Sequence, residues 1–209
     1  MAARYAEEWL PWAERTGDLP DIHGLLAERE LLQGRPDAAL ARLTPLLDHP
    51  GTAPIELTPL LPLVAWAHLE RGEVATAAEA VARGIAHARA QHHRLALVNA
   101  LRVQAMVATR QGCWAQAEQA LEEGLALARR MPYPYAEACL LHVSGALHAQ
   151  KGEPEPACER LEAALEIFRR LGARKDVESV EQALATSGNR SGAATGQRGT
   201  SSPGAASRP

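Results

Sequence analysis

Aromatic side chains are the scarcest class in this sequence, with one Phe, three Tyr and four Trp in 209 residues. With Ala and Leu supplying the hydrophobicity instead, the bias reads as closely packed helices with few strands. Long apolar runs are missing as well. The longest, Leu60 to Ala67, is broken by Pro62 and falls far short of the roughly 20 residues a membrane-spanning helix needs. Arg4, Glu7 and Glu8 interrupt the amino terminus before a secretory signal can form. Only three cysteines are present, Cys113, Cys139 and Cys158. They show neither C-x-x-C spacing nor an even disulfide framework, which fits a reducing cytoplasm. Excess charge of either sign is lacking too. A formal net charge of -3 and a pI near 6.2 give no general attraction to nucleic acid or anionic membrane.

What the chain does have is Ala and Leu, both strong helix formers, and an internal repeat. The phrase Gln33-Gly34 returns as Arg71-Gly72, Gln111-Gly112 and Lys151-Gly152, with the glycines 38, 40 and 40 residues apart. Five residues beyond each glycine stands an alanine: Ala39, Ala77, Ala117 and Ala157. Four further on is an apolar residue, namely Leu43, Val81, Leu121 or Leu161. A fixed period of this size marks stacked supersecondary units.

Each unit reads as a helical hairpin. The segment before Gly112 carries Leu97, Val98, Leu101, Ala105 and Ala108, mostly three or four apart, which gives one buried stripe. Glycine then closes the first helix in the left-handed conformation. Proline opens the second helix in two units, at Pro36 and Pro156, where a missing N–H costs little. The alanine column falls in the first turn of that helix and lets the paired helices approach to roughly 8–10 Å. These signals predict helices over 20–33, 37–48, 58–71, 74–90, 94–111, 114–130, 134–151, 155–171 and 174–186. Thr58-Pro59 reads as a cap and first helical position, Pro45 should kink or shorten its helix, and Met131 to Pro134 reads as an extended connector. Residues 187–209, rich in Gly, Ser, Ala and Thr, are expected to be disordered.

These columns resemble the tetratricopeptide repeat, a helix–turn–helix unit with a small residue in its first helix, here Ala27, Ala65, Ala105 and Gly145. Trp114, two residues past Gly112, takes the place of an aromatic often found there. The period of about 40 exceeds the usual 34, and Glu30, His68, Ala108 and His148 replace the large aromatic expected late in the first helix. Longer repeats of this kind look like the MalT-like region of bacterial signal-transduction ATPases and LuxR-type regulators, and Leu161 to Glu178 has the look of the last repeat there. The resemblance implies an all-α, right-handed superhelical solenoid of antiparallel hairpins, with about four full repeats over 18–186. Residues 1–17, with Tyr5, Trp9 and Trp12 on helical spacing, read as a partial unit before it, so the chain looks like a piece of a longer ancestral protein. A capping helix follows the repeats.

The resemblance further implies a groove along the first helices. Carried over column by column, it holds Trp66 and Leu69 in repeat two, Asn99, Arg102, Met106 and Arg110 in repeat three, and His142 and Gln150 in repeat four. Arg102 and Arg110 would clamp a carboxylate, with Trp66 and Met106 giving apolar contact. Catalysis and metal binding find little support. His142 and His148 are six apart, which does not put two ligands on one helix face, and His68 and His148 share a repeat column that reads as packing. Cys139 and His142 lack an oxyanion site. Glu118, Glu122 and Glu123 read as a solvated face. The expectation is therefore a cytoplasmic, non-enzymatic scaffold with no cofactor or metal. It would bind a protein or peptide partner in bacterial signalling or transcriptional control, without direct contact to nucleic acid or membrane. Self-association through the amino-terminal tryptophans, or sensing of a small-molecule effector, are the alternatives.

Overall fold

A computed structural model describes residues 19–48 and 54–196, and every regular element among them is a helix. The chain forms two compact units, Met1–Leu140 and Leu141–Pro209. In the first, α1 (Leu19–Leu32) pairs with α2 (Pro36–Leu47), a single turn α3 (Pro54–Leu57) leads to α4 (Leu61–Glu70), and α5 (Val74–Ala90), α6 (Arg94–Arg110) and α7 (Trp114–Ala128) follow. Helix α8 (Pro134–Lys151) supplies residues to both units, and α9 (Pro154–Leu171) and α10 (Arg174–Gly196) belong to the second. Within each hairpin a connection of two or three residues makes the paired helices run antiparallel, so this is an all-α repeat of helix hairpins. No helix among the described residues is long and apolar enough to cross a membrane.

The turn glycines carry the repeat. Gly112 has φ 72°, its N–H donates to Thr109 O, and the Cys113 N–H donates to Ala108 O. This pair of bonds is the Schellman cap, which satisfies the last helical carbonyls. The same pair recurs after α1, α4 and α8, at Gly34, Gly72 and Gly152. After α5 it recurs without a glycine, because His92 takes φ 54°.

Behind each turn the alanine column is sealed. Ala39, Ala77, Ala117 and Ala157 are all 0% exposed, and Leu43, Val81, Leu121 and Leu161 are buried one turn further on. The first unit's core gathers Leu31, Leu43, Leu60, Val64, Leu69, Val81, Val103 and Val107 around Ala27, Ala65 and Ala77. In the second unit, Leu147, Leu161, Leu165, Phe168 and Val180 are buried.

Several expectations are corrected. Helix α4 begins at Leu61, with Leu60 rather than Thr58 at its N-cap. The buried Thr58 hydroxyl instead donates to Gln91 Oε1 at 2.6 Å. Residues 129–132 form a turn rather than an extended connector, since Arg130 and Met131 N–H donate to Leu127 and Ala128 carbonyls. Helix α10 runs to Gly196, ten residues past the expected end at 186. Adding residues to a helix already nucleated is easy, and Ala193 and Ala194 favour it. As expected, the helix with Pro45 is short, ending two residues later at Leu47. The helix proposed over 1–17 and residues 197–209 lie outside the described part.

Candidate functional site

In the first unit, consecutive first helices lie side by side, since α1 touches α4 and α4 touches α6. Residues ten and thirteen positions before each turn glycine then meet along one surface: Gly24, Pro62 and Arg102, with Asp21, Pro59 and Asn99. Together with Leu25, Glu28, Leu63, Leu95, Tyr133 and Tyr135 they line a cleft of about 320 Å³. At one end the packing around Gly24 is tight. A Cβ on Gly24 would stand 3.1 Å from Leu60 Cδ2.

Arg102 is the exceptional group in this cleft. It is 8% exposed, its guanidinium carbon lies 4.6 Å from the Trp66 ring centroid, and its buried Nε has no hydrogen-bond partner among the described residues. Stacking on an aromatic face offsets part of the cost of burying the cation. A carboxylate would supply the rest. Trp66 is held in place because its indole N–H donates to Glu70 Oε1 at 3.0 Å. Also lining the cleft, Tyr133 and Tyr135 pack edge to face, with centroids 6.4 Å apart. Burial raises the Tyr133 phenol above its ordinary value of 10, with the nearby Glu28 carboxylate adding to it.

The expected groove residues divide. Arg102 and Asn99 line the cleft, and Trp66 supports Arg102 from beneath. Leu69 does not belong to a groove, for it is 1% exposed and part of the core. Met106 also packs against that core. Arg110 is exposed at the end of α6 and does not line the cleft. Eight helical residues separate it from Arg102, a rise of roughly 12 Å, so the two do not form the expected clamp. His142, half-buried, and Gln150, exposed, fall in the second unit. Asp21, Gly24 and Glu28 were missed, although the columns that hold Asn99, Arg102 and Met106 reach them when extended to the first hairpin. Tyr133 and Tyr135 carried no such signal, because they precede the column positions in their own repeat.

The paired histidines have a role at the turns. The Glu73 carboxylate accepts from His68 Nδ1 at 2.6 Å and pairs with Arg71 Nε at 3.1 Å. Eighty residues on, Glu153 accepts from His148 Nδ1 at 2.7 Å and pairs with Lys151 Nζ at 2.8 Å. Both glutamates stand at the N-cap of the second helix, so each His ties the end of one helix to the start of the next. Where Glu30 takes the His68 column, its buried carboxylate accepts from Arg42 instead, at 2.6 Å from Nη2. Among the described residues no three His, Cys, Asp or Glu side chains gather as metal ligands would.

No family model matches the chain, and no curated protein does. The fold is similar to that in the crystal structure of BtubC (BKLC) from P. vanneervenii, with a TM-score of 0.56 over 100% of this chain and 94% of that one. The sequences are 19% identical, so the likeness is one of fold.

Proposed function

We propose that this chain is a tetratricopeptide-type interaction scaffold, with no enzymatic activity of its own, that holds a segment of a partner protein in the cleft along its first helices. The carrying observation is that three adjoining first helices, with Tyr133 and Tyr135 from the start of a fourth, contribute to one cleft of about 320 Å³. That volume lies at the small end of the roughly 300–1,000 Å³ typical of ligand pockets, so it takes a few side chains of an extended or helical segment rather than a folded surface. Repeat proteins use surfaces of this kind for binding. The likeness of Leu161 to Glu178 to the last repeat of MalT-like regions supports a setting in bacterial signalling or transcriptional control, in the cytoplasm.

Photocrosslinking tests this directly. A benzoylphenylalanine in place of Leu25, which is exposed and lines the cleft, should form protein adducts in cells. The same residue in place of Glu122, exposed on α7, should not. Equal adducts from both positions, or none from Leu25, would reject the cleft as the binding site.

A further inference from the structure

We infer that the cleft selects a segment carrying a single carboxylate, for Arg102, next to an apolar side chain, with a basic residue on the side of Asp21 and Glu28. This inference rests on the scaffold reading above and names the chemistry of its ligand. It starts from a buried group left incomplete. A guanidinium has five N–H donors and no acceptor. In Arg102 the face is covered by Trp66 at 4.6 Å, the residue is 8% exposed, Nε has no partner among the described residues, and the guanidinium lines the cleft. A planar carboxylate is the acceptor that matches the fork, and in so sheltered a place the bond is charge-assisted.

Charge around Arg102 sets the rest of the specificity. Among the described residues Arg102 is the only basic one lining the cleft, whereas Asp21 and Glu28 bring two carboxylates to it from α1. A segment with several acidic residues would be repelled by that wall, and a like charge facing a buried site is expensive. A Lys or Arg on the ligand, toward α1, would be attracted. Much of the remaining lining is apolar, with Leu25 56% exposed and Leu63 and Leu95 half-buried. An aliphatic or aromatic side chain of the ligand covers them. One acid, one apolar residue and one base is thus the pattern read from this surface.

Selection of a displayed random 12-residue peptide library on the immobilised full chain tests the pattern. Enriched peptides should share one Asp or Glu beside an apolar residue, with Lys or Arg on one side. Replacing that acid by its amide should weaken a synthetic winner about tenfold or more, the loss expected for a charged bidentate bond. Arg102→Gln should cause a similar loss with the original peptide and no further loss with the amide. Glu28→Gln, a change at a half-exposed position, should admit peptides with a second acid. If Arg102→Gln fails to fold, the amide peptide and Glu28→Gln decide on the intact site. Enrichment of peptides with no acid, or with acidic runs, would overturn the inference while leaving segment binding in place. A library with no enrichment would overturn both.

Discussion

Arg102 and Trp66, 36 positions apart in the sequence, stack with the guanidinium carbon 4.6 Å from the indole centroid. The stack returns roughly 0.5–2 kcal/mol, while a buried donor without an acceptor costs about 1–3 kcal/mol. The stack offsets only part of that cost, so Arg102 adds nothing to the stability of the unliganded chain.

A shape-conserving apolar replacement should therefore be harmless to folding. Arg102→Met is expected to leave the melting temperature unchanged or raise it by an amount worth up to about 1 kcal/mol, while abolishing capture of the acid-bearing peptide. Thermal melts of the full chain followed by circular dichroism give the answer. Destabilisation above about 2 kcal/mol would make Arg102 a structural residue.

The second unit has its own point of closest approach. A Cβ on Gly145 would stand 2.6 Å from Leu161 Cγ and 3.2 Å from the Ala157 carbonyl oxygen. Gly145→Ala gains helix propensity of roughly 1 kcal/mol, yet the overlap should outweigh it and give a net loss of about 1–3 kcal/mol. Leu161→Ala alone should lose about 2–5 kcal/mol. Combined, the two should lose less than their sum, because the shortened side chain makes room for the added methyl. Strict additivity in denaturant melts would show that α8 and α9 do not meet at this pair.

How much of this was readable beforehand depends on whether the determining contact was local. Gly34, Gly72, Gly112 and Gly152 announce the turns because the left-handed cap is a property of a few consecutive residues, and all four take positive φ. Ala117 and Gly145 announce the hairpin contact for the same reason, their small size recurring at one period. Thr58 misled, since a Thr before a Pro is a plausible cap and only the fold brings Gln91 within 2.6 Å of it. The site was half legible. Arg102 and Asn99 follow from repeat columns, but the burial of Leu69 and the stacking of Arg102 on Trp66 depend on which way each side chain turns once neighbouring helices have packed. The column through Glu28 was visible in the sequence, although Glu28 shares no residue type with Trp66 and Met106.

His92 occupies the conformation that glycine holds at the other turns, with φ 54° against 72° at Gly112. A side chain bearing Cβ costs about 1–2 kcal/mol there, though His tolerates it better than branched residues. His92→Gly should therefore stabilise the chain by up to about 1 kcal/mol, after allowing for glycine's greater unfolded-state entropy. Gly112→Ala should destabilise it by a comparable amount. Opposite signs in the two melts are the prediction, and the same sign in both would remove the left-handed cap as the determinant.

Acid should weaken the hairpin turns in a defined direction. The hydrogen bond from His68 lowers the Glu73 carboxyl below its ordinary value of 4.5, with the Arg71 charge adding to it. Lys151 and then His148 lower Glu153 in the same way. A carboxyl whose folded value lies below its unfolded one favours the folded state fully above about pH 4.5, where both states are ionised. As pH falls, the unfolded chain takes up protons first, and the contribution fades until the folded carboxyls are protonated too. The wild-type melting temperature should therefore drop between about pH 5 and about pH 3. In the Glu73→Gln, Glu153→Gln double variant the starting value should be lower and the drop shallower, because the amides keep an acceptor for each His but have no proton to gain. Identical slopes for the two proteins would mean that acid acts elsewhere in the chain.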